Sequence, residues 1–95
     1  MTTVFTPVHR QVETSTGVWV DEGIAALLEA LWAEGLPTEF SCQGQEKGYI
    51  CFVHEADAVR FVSATPHAGL QRSGRFVDVW SNSLKYLARL WSATP

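Results

Sequence analysis

Five apolar residues, Ile24, Leu27, Leu28, Leu31 and Trp32, recur at i, i+3, i+4, i+7 and i+8, and the run stops at Gly35-Leu36-Pro37. That spacing predicts a helix over residues 21–34 with one continuous apolar stripe. Asp21 stands where an N-cap belongs, and Glu22 suits the positive end of the helix dipole. Gly35 takes the position just past the last turn, and Pro37 prevents continuation. A stripe of this kind must be buried against a second layer, so the rest of the chain has to supply one.

The supply follows at once. Residues 38–43 and 49–54 are short runs of aromatic and β-branched residues joined by Gly44-Gln45-Glu46-Lys47-Gly48, which predicts a hairpin. A connection of that length pairs Gln43 with Tyr49 and sets Phe40 opposite Phe52 and Cys42 opposite Ile50. Phe40, Cys42, Ile50 and Phe52 then form the core face, and Ser41, Gln43, Tyr49 and Cys51 the other. A slip of one residue reverses the assignment. Residues 55–65 predict a second helix, with Ala58, Val59, Phe61 and Val62 inward and Pro66 as its stop. Residues 66–75 read as a polar loop. Residues 76–81 alternate Phe76, Asp78 and Trp80 against Val77 and Val79, the period of a strand. A last helix from about Asn82 or Ser83 carries Leu84, Leu87, Ala88 and Trp91 on one stripe. Upstream, residues 8–13 and 17–20 read as short strands.

The expected fold class is therefore α+β: a ferredoxin-like split βαβ (βαββαβ) with an extra N-terminal strand and a C-terminal helix. Its antiparallel sheet would be covered by helices on one face and open on the other. Ninety-five residues make one domain, 1–95, with room for a single core. The chain is 46% hydrophobic with four tryptophans, which argues for a folded globule. Trp32 and Trp91 lie on helical stripes and belong to the core; Trp19 and Trp80 lie on strands, where packing is favoured over stacking on a base or anchoring a partner. No apolar run approaches the roughly 18–20 residues a membrane span needs. Residues 1–7 lack the features of a signal peptide, and two cysteines without one fit reduced thiols in the cytoplasm.

Charge is unevenly distributed. Residues 1–57 hold nine carboxylates against Arg10 and Lys47, and residues 58–95 hold five cations against Asp78, giving −7 and +4 and a net −3. An acidic chain is poorly suited to tracking a long nucleic-acid backbone, so long nucleic acid is not an expected partner. A small anion needs only a few cations, and segregation in sequence need not survive folding.

Ser41-Cys42-Gln43-Gly44 is the first candidate site. Gly44 permits a positive φ and a close ligand approach, and Ser41 and Gln43 offer orienting hydrogen bonds. Cys42 has three readings: a small buried hydrophobe against Ile50, a ligand contact, or a nucleophile needing a neighbouring cation or helix N-terminus. The second candidate is Pro66-His67-Ala68-Gly69-Leu70-Gln71-Arg72-Ser73-Gly74-Arg75, whose Arg72 and Arg75 suit a phosphate or carboxylate. It lacks the Lys-Ser/Thr ending of a Walker loop. Cys42, Cys51, His9, His54 and His67 show no zinc spacing, so no metal is expected. No Ser/His/Asp set and no close carboxylate pair supports hydrolysis. No catalytic residue and no cofactor is assigned.

The run Trp32-Ala33-Glu34-Gly35-Leu36-Pro37-Thr38-Glu39-Phe40-Ser41-Cys42-Gln43-Gly44 resembles a pattern in small uncharacterised actinobacterial and phage proteins. There a helix ending in Leu-Trp and a Gly turn is followed by Thr-x-x-Ser-Cys-x-Gly, a Tyr-Ile-x-Phe strand and an Ala-rich helix. Tyr49-Ile50-Cys51-Phe52 and Ala56-Asp57-Ala58 match the later parts, so the likeness spans about residues 18–62. It implies a small accessory protein without an established activity. A shorter likeness of residues 38–44 to the Ser-Cys-Ser-Gly turn of wybutosine-type tRNA methyltransferases breaks at Gln43, at the missing Arg after Gly44, and on length.

Two readings follow, neither an enzyme. In the first, the protein binds a small polar or phosphorylated, nucleotide-like ligand: Ser41, Gln43 and Gly44 orient it, Arg72 and Arg75 neutralise it, and Tyr49 or Trp80 stacks on it. In the second, it is a protein-interaction module or homodimeric inhibitor acting on itself or a host protein through the open sheet face and the last helix. A thiol enzyme built on Cys42 is a distant third.

Overall fold

The structure, a computed structural model, describes residues 9–93. The expected helix is present as α1 (Glu22–Ala33), preceded by β1 (Gln11–Glu13) and β2 (Trp19–Asp21). Its end follows the sequence closely. Gly35 adopts φ +81°, its N–H donates to the Trp32 carbonyl at 3.0 Å, and the Leu36 N–H reaches back to the Leu31 carbonyl at 3.0 Å. This pair of bonds satisfies carbonyls that a helix end leaves open, and it turns Leu36 into the core, where it is fully buried. Ile24, Leu27, Leu28 and Leu31 are buried as well, each contributing about 1.5–3 kcal/mol. That outweighs the roughly 1 kcal/mol cost of Gly23 inside the helix. Trp32 departs from expectation: it is half-buried at the rim, where its indole N–H donates to Thr38 Oγ1 at 2.9 Å.

Beyond α1 come β3 (Thr38–Cys42), β4 (Lys47–Phe52), α2 (Glu55–Ala64), β5 (Gln71–Ser73), β6 (Phe76–Trp80) and α3 (Leu84–Ser92). Single 3-10 turns at Pro66–Ala68 and Ser81–Ser83 lead into β5 and α3. The α+β class and the antiparallel sheet are as expected. Four strands form that sheet in the order β3-β4-β6-β5, while β2 pairs with β1 in a separate two-stranded ribbon. A βαββαβ unit would draw the strand before α1 into the main sheet. Here β2 runs three residues and goes straight into the helix, and Asp21 is tied to β1 by a Gln11 side-chain bond at 3.0 Å. Residues 66–75, expected as loop, contain edge strand β5, which pairs Arg72 with Val77 around a turn at Gly74. Val8, expected at the start of the first strand, and the signal-peptide reading of residues 1–7 fall outside the described residues.

Helices α1, α2 and α3 pack on one face of the sheet. Ile50, Phe52, Val77 and Val79 point into this layer and join Ile24, Leu27, Leu28, Leu31, Phe61, Leu87 and Trp91 in one core. Phe52, Phe61 and Trp91 stack through it with ring centroids 5.5 and 5.6 Å apart. Val59, expected inward on α2, is instead exposed.

The hairpin register differs from the expected one, and the difference turns β3 over. Ser41 lies opposite Ile50, Cys42 opposite Tyr49 and Phe40 opposite Cys51, with a bulge between Thr38 and Phe40. Gly48 is the cause. It lies within β4 rather than in the connection, and a Cβ there would sit 2.2 Å from the Cys42 carbonyl oxygen. Gly44, at φ +66°, makes the shorter turn possible. Moving the register by one exchanges faces. Ser41 therefore points to the helix layer, while Phe40 and Cys42 lie on the outer face with Tyr49 and Cys51.

Candidate functional site

At the end of β3, Gln43 is committed to the fold on three sides. Its backbone N–H donates to Asp21 Oδ2 at 3.1 Å, and its side-chain Oε1 accepts from the Gly23 N–H at 2.7 Å. Its carbonyl oxygen accepts from the Ser81 hydroxyl. Asp21 has the extended backbone of an N-cap, yet its side chain caps nothing in its own helix. The carboxylate holds Gln11 and the Gln43 backbone, and the Gln43 amide caps α1 in its place. Gly23 makes this exchange possible, since a Cβ there would lie 2.6 Å from Gln43 Oε1. Gln43, expected to grip a ligand, is thus part of the joint between hairpin and helix.

The two arginines do not converge on that turn. Arg72 faces the helix layer at the sheet edge and pairs with Glu55 of α2 at 3.0 Å. Arg75 follows the β5–β6 turn and pairs with Glu39 at 2.7 Å. The bond it donates to Glu39, and then the nearby Cys51, hold the Arg75 guanidinium above its ordinary pKa. Arg60 reaches Glu34 at 4.0 Å and Lys47 reaches Asp78 at 3.8 Å, so folding brings charges of the two halves together. An open cleft of about 580 Å³ lies at the start of α1 and is lined by Arg10, Glu22, Gln43 and Lys85 among others. Of the expected site residues, Gln43 alone lines it. Among the described residues, no three His, Cys, Asp or Glu side chains gather as a metal site.

What the register correction produces is an aromatic outer face. In the row across β3, β4 and β6, Phe40, Cys51 and Phe76 are neighbours; in the next, Cys42, Tyr49 and Asp78. Lys47 and Trp80 form the last row. Phe40 is 57% exposed, Phe76 44%, Trp80 40% and Tyr49 37%. The Tyr49 and Phe76 rings lie tilted with centroids 6.0 Å apart, and Lys47 sits over the Trp80 ring at 5.4 Å. Cys51 is fully buried although it belongs to this face, between its cross-strand partners Phe40 and Phe76 and beside Arg75. Cys42 is half-buried on the same face, not packed on Ile50 in the core. The two thiols are diagonal neighbours rather than occupants of opposite faces. Such positions lie about 7–8 Å apart, beyond the roughly 4.4–6.8 Å that a disulfide spans.

Tyr49 and Trp80 therefore share the open face, with Arg75 at its edge, while Ser41, Gln43 and Arg72 do not. Trp80 and Trp19, the latter 61% exposed on β2, are not core residues. Phe40 and Phe76 join Tyr49 and Trp80 on this face, beyond the expected site residues. The alternation of Phe76 with buried Val77 and Val79 already marks Phe76 as outward, whereas Phe40 needed the register. The last helix lies away from this face: Leu84, Leu87, Ala88 and Trp91 are buried, leaving Tyr86 and Leu90 as its exposed large apolar residues. No helix among the described residues is long and apolar enough to cross a membrane. Compared with protein-family models, curated proteins and solved structures, the chain finds no match.

Proposed function

We propose that this protein is a non-enzymatic accessory module of the cytoplasm whose working surface is the open sheet face, covered in use by another protein surface. One observation carries the reading: Phe40, Tyr49, Phe76 and Trp80 stand exposed together on a face no helix covers among the described residues. Contiguous apolar surface of this kind is costly to leave in water and marks interaction sites. The layering, helices on one side of a four-stranded antiparallel sheet and aromatics on the other, supports an interaction domain that works through its uncovered face. The resemblance to small actinobacterial and phage proteins supports an accessory role. The test is a photo-reactive amino acid placed at Phe76 and, as a control on α2, at Val59, irradiated in the cells that make the protein. Crosslinks to a polypeptide from position 76 and none from position 59 are expected. Absence of crosslinks at both positions contradicts the reading.

A second reading, binding of a small phosphorylated or nucleotide-like ligand, is supported by the cleft in which Arg10 and Lys85 stand near Gln43. Calorimetry against a panel of nucleotides tests it, with Lys85→Ala as control. Heat that disappears in the variant is expected, and no heat from any nucleotide removes this reading.

A further inference from the structure

The geometry points to a second copy of this chain as the occupant of the open sheet face, an inference that rests on the interaction reading above. The charges around the aromatic centre decide between occupants. At one end Lys47 pairs with Asp78 beside Trp80; at the other Arg75 pairs with Glu39 beside Phe40 and Phe76. Each cation stands next to an anion, so these groups carry no net charge. A nucleic acid gains nothing from such a rim, because both cations are already neutralised and two carboxylates would face its phosphates. A strongly acidic or basic protein gains nothing either.

A copy related by a two-fold axis fits both features. It presents the same apolar centre, and its rim offers each cation an anion and each anion a cation, which is the self-complementarity of an isologous interface. Size sets the strength. Strands β3, β4, β6 and β5, of five, six, five and three residues, about 4.8 Å apart at about 3.3 Å per residue, give a face of roughly 300 Å² in projection. Stable complexes bury about 800 Å² per partner. The dimer is therefore weak and depends on concentration, and it shields Cys42 when it forms.

Light scattering on the purified chain from about 1 to about 500 µM reads its mass, and mass spectrometry of the Cys42 peptide reads its alkylation rate. The mass is expected to rise from 10.5 kDa toward twice that value while Cys42 alkylation slows over the same range. Phe40→Glu shifts the midpoint at least about tenfold, and Val59→Glu leaves it unchanged. Asp78→Lys, which sets two cations side by side, gives a shift in the same direction and guards against a folding defect in the first variant. A constant 10.5 kDa with a constant Cys42 rate overturns the inference. Crosslinks from position 76 to a different polypeptide would then leave the interaction reading standing, and no crosslinks at all would remove both. Saturable binding of a single-stranded oligonucleotide that Phe40→Glu abolishes also overturns it, in favour of a nucleic-acid platform.

Discussion

Replacing Gln43 by alanine separates a structural role of this turn from a ligand-binding one. The side chain accepts the Gly23 N–H at 2.7 Å and caps α1, whose own N-terminal Asp21 is occupied elsewhere. Loss of an N-cap acceptor costs about 0.5–2 kcal/mol, and the Gly23 amide lies near solvent, so the lower half of that range applies. Part of the hydrogen bond is recovered by water, and the two backbone bonds of Gln43, to Asp21 and Ser81, survive the substitution. The expected destabilisation is about 1 kcal/mol. For a domain of this size that lowers Tm by about 4–8 °C. Thermal unfolding followed by circular dichroism reads the shift, and amide exchange reads its location: the Gly23 N–H loses protection while amides in the middle of α1 do not. An unchanged Tm together with unchanged Gly23 exchange would refute the capping argument.

Other substitutions probe the remaining contacts. Gly48→Ala sets a Cβ in β4 against the Cys42 carbonyl at the end of β3 and is expected to cost about 3 kcal/mol or more, read by denaturant unfolding. Phe61→Ala empties the centre of the Phe52, Phe61 and Trp91 stack and should cost about 3–5 kcal/mol in the same assay. In the native protein an alkylating reagent modifies half-buried Cys42 well before fully buried Cys51, read by mass spectrometry of the two peptides.

Much of the helix layer was legible because its signals are local. The stripe from Ile24 to Trp32 and the Gly35-Leu36-Pro37 stop lie within one helix and its end, and the Val77 and Val79 alternation within one strand. The site was less legible because it depends on contacts between distant residues. Asp21 has the sequence signature of a cap, but partners 10 and 22 residues away claim its carboxylate. The fate of Phe40 turned on whether Gly48 belongs to the loop or to the strand, and on a bulge that no composition rule places. β5 carries no apolar periodicity, since all three of its residues are exposed, and reads as loop until its partner strand is known. Arg72 and Arg75 look like a pair in sequence, yet one faces the helices and the other the far edge of the sheet.

The most direct test of the central claim is the crosslinking yield from position 76 measured in two backgrounds, each at a temperature where the variant is folded. Gln43→Ala should lower Tm and leave the yield unchanged, while Phe40→Glu should leave the protein folded and abolish the yield. The reverse pattern, with crosslinks lost on removing Gln43 and kept on charging Phe40, would place the working surface at the turn and contradict the account.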